Sequence, residues 1–324
     1  MSPEERADAS LALDEAAPRL DAHQFSHAAM ATVFEVFCVH DDKEYAGQAA
    51  QAAFDLVDRL ERELSRFLSN SDVSRINALA TGQTTRVSPE TMECLEIARQ
   101  LYTVTGGAFD IAIGSGQEHL ELVPDELEVR ARGDGVRLDL GGIGKGYAVD
   151  RMREQLDEWE IPVALLHGGF SSVLAGEAPP GRDGWPLTLT APGPRTDRPR
   201  IRISARQMAL SASGTQKGAH IQDPRTGQPV RDRAAWAILP CRRGPDRQTR
   251  EEWGDAVRSP AAVAEALSTA FMILSLEEIG ELCRRCPGLE AWVARAPGEG
   301  GAGAVLVHLG GAAPGPPGEG GAGP

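Results

Sequence analysis

Apolar residues along this chain recur with two spacings, and the switches between them lay out its elements. Residues 30–39, M-A-T-V-F-E-V-F-C-V, alternate apolar and polar positions with β-branched and aromatic enrichment, which predicts a strand. Ala49, Ala53, Phe54, Leu56, Val57, Leu60 and Leu64 follow at three-and-four spacing, so 48–64 is predicted to be an amphipathic helix. Ser88, Pro89 and Glu90 open a second helix running through Cys94, Leu95, Ile97, Ala98 and Leu101. Val136, Leu138 and Leu140 alternate as a strand does and lead through glycines into a helix over 147–159; 162–166 then reads as a buried strand. Strand patterns recur at 186–190, 200–204, 207–211, 234–239, 289–293 and 304–309, with one further helix at 260–274. Residues 1–22, polar and acidic, are expected to be a loose arm or short helix. The Gly/Pro-rich 310–324 is too poor in apolar side chains to pack and is expected to be a disordered tail.

Between these elements lie the stretches that carry chemistry. Residues 137–150 read R-L-D-L-G-G-I-G-K-G-Y-A-V-D, an extended run that empties into a glycine turn and a helix start. Glycines let a backbone approach a phosphate, and the unpaired N–H groups that open a helix favour negative charge. It is not a Walker A loop, since Gly146 rather than Ser or Thr follows Lys145. Nor is it a G-x-G-x-x-G fingerprint, since one begun at Gly142 would end on Tyr147. The Ser-, Asn- and Asp-rich loop at 65–77 is either turn chemistry or a ligand-facing loop carrying Phe67. T-G-G-A-F-D-I-A-I-G at 105–114 reads, on its own, as a helix stop and strand start. His220, between glycine turns in 211–227, is a general-base candidate because its pKa lies near working pH. Glu265 and Thr269 stand four apart, hence on one helix face, among Ala264, Ala266, Leu267, Ala270 and Phe271. Two oxygen-bearing groups in an apolar setting suit a metal.

Composition narrows the partners. The 324 residues carry a formal net charge of -14, which argues against nucleic acid, and the arginines of 231–250 are interleaved with acids. No apolar run approaches a membrane span, and the acidic start has no signal-peptide pattern, so a cytoplasmic location is expected. Five cysteines, an odd number, fit a reducing compartment. Cys283-x-x-Cys286 has no second pair to complete a zinc site.

Five segments then occur in order: A-M-A-T at 29–32; S-R-F-L-S-N-S-D-V-S-R-I-N at 65–77; T-G-G-A-F-D at 105–110; D-L-G-G-I-G-K-G-Y-A-V-D at 139–150; and H-I-Q-D-P-R-T-G at 220–227 paired with E-A-L-S-T-A at 265–270. Together they resemble the FAD:protein FMN transferases, the ApbE family, over about residues 25–309. The resemblance implies an α+β unit spanning 23–309, of two packed lobes with mixed or antiparallel sheets flanked by helices and the cofactor between them. It implies magnesium-dependent cleavage of FAD, transfer of FMN to a Ser or Thr hydroxyl of an acceptor protein, and release of AMP. Carried over by motif, Mg²⁺ is held by the Gly142 carbonyl, Glu265 and Thr269. The flavin nucleotide contacts Met30, Phe67, Ala108, Phe109, Asp110, Asp139, Lys145 and Ile221. His220 is the base, and Lys145 also counters pyrophosphate charge. Ala31 stands where the family usually has Gly, Phe67 where it has Tyr and Glu265 where it has Asp, and the connection 115–136 is shorter than usual. The alternatives are a relative that binds FAD without transferring it, or one that hydrolyses FAD to FMN and AMP.

Overall fold

A computed structural model of the chain describes residues 10–13, 20–112, 115–191, 200–214, 221–231, 233–241, 251, 253–295 and 305–311. The strands in order are β1 (Ser10–Leu13), β2 (His23–Ala29), β3 (Thr32–Cys38), β4 (Thr84–Arg86), β5 (Leu120–Val123), β6 (Glu128–Ala131), β7 (Ala164–Gly168), β8 (Ser172–Ala175), β9 (Trp185–Thr190), β10 (Arg200–Ala205), β11 (Met208–Gly214), β12 (Arg233–Pro240), β13 (Glu290–Arg295) and β14 (Val305–Gly310). The helices are α1 (Lys43–Leu64), α2 (Asp72–Asn77), α3 (Pro89–Val104), α4 (Gly144–Glu158), α5 (Pro260–Phe271) and α6 (Leu276–Arg285). Ser88 caps α3 through its side chain, with Pro89 in the first turn, as its sequence dictates.

Eight strands form one antiparallel sheet in the order β14-β13-β12-β11-β8-β7-β3-β2. On it lies the main core, in which α5 packs on β11 and β12, and α4 on β7, β8, α1 and α5. A second core joins Leu165, Val173, Leu210 and Trp236 to Trp185, Leu187 and Leu189 of β9, which pairs with β1 and β10 in a separate three-stranded sheet. The architecture is thus α+β, antiparallel sheets flanked by helices, as expected. No helix among the described residues is long and apolar enough to cross a membrane.

Several local expectations are revised. The strand expected at 30–39 begins at Thr32; Met30 and Ala31 form the turn that joins β2 to β3. Both have left-handed backbones, φ 49° and 56°, as a two-residue hairpin turn needs. Residues Ser10–Leu13, within the expected arm, form β1 against β9. The rest of 1–19 and the tail from 312 lie outside the described residues. The short connection at 115–136 contains β5 and β6, which with β4 make a third small sheet. Cys283 and Cys286 are buried cysteines, one on α6 and one at its end.

One buried group in the sheet sets a pH dependence. His167 on β7 meets the edge of Phe37 at 5.7 Å between ring centroids, and its Nε2 has no hydrogen-bond partner among the described residues. Burial pushes its pKa down to about 4, so the folded state holds it neutral. The stability this contributes is complete above the unfolded value of about 6.5 and is lost as pH falls toward about 4, roughly 3 kcal/mol in all. His167→Phe removes that titration. Urea unfolding at pH 7 and pH 4 is expected to shift the difference between variant and wild type by a comparable amount in the variant's favour. An unchanged difference would contradict the assignment.

Candidate functional site

The stretch that reads as a strand before the glycine turn joins no sheet. Val136, Leu138 and Leu140 are buried in alternation, but the backbone between them bonds to two loops and a side-chain amide. Leu138 N–H donates to Asn77 Oδ1 at 2.6 Å, and Asn77 Nδ2 donates to the Leu138 carbonyl at 3.0 Å. Asp139 N–H donates to the Ile111 carbonyl at 2.7 Å, and Arg137 N–H to Ser115 Oγ at 2.9 Å. Alternation reports an extended backbone and is blind to whether its partner is a strand. The strand start expected within 105–114 is likewise absent from the described residues: Asp110 Oδ1 instead accepts from Ala112 N–H and Gln117 Nε2, both at 2.8 Å. Three motif segments are thereby stitched into one wall.

α4 leaves that wall without a side-chain cap, and α5 crosses it closely. A Cβ on Gly146 would lie 2.2 Å from the Ala261 carbonyl oxygen, so only glycine allows the approach. Asp150, fully buried one turn further along α4, accepts from Ala261 N–H at 2.9 Å and Ala262 N–H at 2.8 Å, filling the open N-terminus of α5. Burial pushes its pKa up to about 8, against those two donors. Asp150→Ala would strand both N–H groups, an expected cost of about 2–5 kcal/mol in urea unfolding; a loss below 1 kcal/mol would refute the capping role.

This crossing brings Lys145 of α4 to Glu265 of α5. Lys145 Nζ donates to Glu265 Oε1 and, at 3.3 Å, to the Gly141 carbonyl, while Gly146 N–H donates to Glu265 Oε2 at 2.6 Å. Glu265 is 4% exposed, a buried carboxylate held by a cation and a backbone donor. One turn on, Thr269 Oγ1 lies 3.3 Å from both the Glu265 carbonyl and Ser213 Oγ, and a Cβ on Gly142 would sit 3.6 Å from it.

Glu265, Thr269 and Gly142 line one cleft and carry a carboxylate, a hydroxyl and a backbone carbonyl. A carboxylate has about four acceptor positions, and here each oxygen has given up one, so capacity remains for a cation. Among the described residues no group of three or more His, Cys, Asp or Glu could cage a metal. One carboxylate with a hydroxyl and a carbonyl fits a hard cation such as Mg²⁺, which keeps waters and shares its remaining positions with phosphate.

A cleft of about 460 Å³ opens here, lined by Ala108, Phe109, Asp110, Asp139, Gly142, Lys145, Ile221, Glu265 and Thr269. Nine residues nominated by sequence thus converge. Met30 and Phe67 line an adjoining cleft of about 190 Å³, and the two share Arg66, Asp139, Gly141 and Lys145. Phe67 is 80% exposed, an open ring face. His220 lies outside the described residues; Ile221, which follows it in the sequence, lines the cleft. Arg66, Ser213 and Asp150 were given no part by the sequence. Arg66 and Asp150 stand inside motif segments, but nothing in the pattern says what they touch.

The fold and cleft define an α+β protein in which a glycine loop, a lysine–glutamate pair and the Glu265–Thr269 helix face line one cleft. The ApbE family's sequence profile matches residues 30–126 and 115–242, and the chain belongs to that family. It is 27% identical over 217 residues to an FAD:protein FMN transferase of Klebsiella pneumoniae (strain 342), covering 56% of this chain and 66% of that relative. It is 24% identical over 291 residues to one of Treponema pallidum (strain Nichols), covering 75% and 76% respectively. The fold matches the Pseudomonas stutzeri flavinyl transferase ApbE in its apo form with a TM-score of 0.73, at 22% identity and over 89% of this chain and 94% of that one.

Proposed function

We propose that this protein transfers FMN from FAD to a Ser or Thr hydroxyl of an acceptor protein, with Mg²⁺, releasing AMP. The observation that carries the reading is the single cleft in which the glycine loop, Asp110, Ile221 and the Glu265–Thr269 face meet, with Met30 and Phe67 beside it. The relatives named FAD:protein FMN transferase support the transfer of FMN from FAD to a protein.

When bound, the Mg²⁺ would neutralise pyrophosphate charge and polarise the phosphorus under attack. The protein's own groups do the rest. Phe67 and Met30 offer an apolar face to the flavin ring, and the Gly141–Gly142 backbone admits phosphate without a side chain in the way. Lys145, paired with Glu265 at the edge of that loop, sets a positive charge beside the phosphates. His220 takes the proton of the acceptor hydroxyl as its oxygen bonds to the FMN phosphorus; the phosphoanhydride bond breaks and AMP leaves with the electron pair.

Purified protein incubated with FAD, Mg²⁺ and a flavin-acceptor domain is expected to give covalent flavin fluorescence on the acceptor in a denaturing gel. No fluorescent band would overturn the reading, and AMP released at the same rate without acceptor would turn it toward FAD hydrolysis.

A further inference from the structure

Lys145 and Arg66 are the two cationic residues lining both clefts. Lys145 is bound to a buried carboxylate. Arg66 is differently placed. Its Nε pairs with Asp139 Oδ2 at 3.1 Å, and Asp139 is itself fixed by Gly141 N–H on its other oxygen at 2.9 Å. Its guanidinium carbon stands over the Phe67 ring, 4.4 Å from the centroid, a cation–π contact that holds the group against the ring. Among the described residues the guanidinium makes no other hydrogen bond or ion pair. A guanidinium has five N–H donors in a rigid fork; one edge is tied to Asp139, so the terminal nitrogens are left for a ligand.

The charges say which ligand. Lys145 is matched by Glu265 and Arg66 by Asp139, so neither pair gives the cleft surplus positive charge. The difference lies in exposure. The Glu265 side chain is 5% exposed and needs its partner, whereas Arg66 and Asp139 are 46% and 42% exposed, so water already screens their attraction. An arriving phosphate can therefore share Arg66 at little cost and meet planar, two-pronged donors, the geometry that suits phosphate oxygens.

We propose that Arg66 is a specificity-determining residue that recognises the phosphate of the flavin nucleotide at the junction of the two clefts, with Asp139 and Phe67 holding its fork in place. It separates phosphorylated flavins from riboflavin, which offers the same ring to Phe67 and no phosphate. The proposal rests on the FAD-binding part of the functional reading and is independent of transfer.

The test is equilibrium binding of the full chain to FAD and to riboflavin, read by flavin fluorescence in EDTA at low and high salt. Arg66→Gln is expected to weaken FAD at least tenfold, the loss of a charge-assisted bond, while riboflavin changes less than twofold. Arg66→Lys, which keeps charge without the fork, should fall between, and the FAD difference should shrink at high salt. Unchanged FAD binding, or an equal loss for riboflavin, would overturn the proposal; the second would mean that Arg66 acts only by ordering Phe67. Wild-type protein that binds FAD but transfers nothing would count against the functional reading and leave this proposal standing. Wild-type protein that binds no FAD would overturn both.

Discussion

Glu265→Gln is expected to lower FMN transfer by at least a thousandfold and to abolish its response to Mg²⁺, while FAD binding in EDTA stays within a few-fold of wild type. Gln keeps the length of the side chain and one acceptor oxygen, so α4 and α5 can still meet. It removes the one carboxylate of the oxygen cluster, and a hard divalent cation bound by few protein groups depends on that charge. A metal that polarises phosphorus supplies several kcal/mol of transition-state stabilisation, about a thousandfold or more. Glu265→Asp, the residue usual at this position in the family the sequence resembles, is expected to retain measurable Mg²⁺-dependent turnover. Full activity in Glu265→Gln would remove this side chain from the metal site; thermal melts of each variant distinguish that result from misfolding.

His220→Ala is expected to reduce transfer by roughly 10²–10⁴, the span of a lost general base, with FAD affinity nearly unchanged. The histidine directly precedes Ile221, a residue that lines the cleft. A base shows itself in the pH–rate profile: the wild-type limb that rises as imidazole loses its proton should disappear in the variant. If transfer persists with the same pH profile, another group takes the proton.

The sequence was most informative where local chemistry decides structure. Ser88 before Pro89 located a helix start to the residue, and the spacing of Glu265 and Thr269 put both on the cleft side of α5. It was least informative where the deciding partner is distant. Leu138 alternates as a strand residue would, yet its backbone groups are satisfied by Asn77, 61 residues earlier. Asp150 looks like the last polar residue of a motif; its task, filling the N-terminus of a helix 111 residues ahead, has no local signature. The Met30–Ala31 turn was hidden for another reason. β2 reads H-Q-F-S-H-A-A, too polar to announce a strand, so the hairpin it completes could not be inferred from β3 alone.

Lys145 and Glu265 stand 120 residues apart in the chain, and between them the polypeptide must complete strands β7 to β12. Contacts of such separation carry a loop-closure cost that is met only when the intervening sheet is in place. The Lys145–Glu265 pair is therefore expected among the later contacts to form, and a chain interrupted before α5 would own the glycine loop without its counter-charge. A ligand that bound only the closed arrangement would draw that last step forward by mass action.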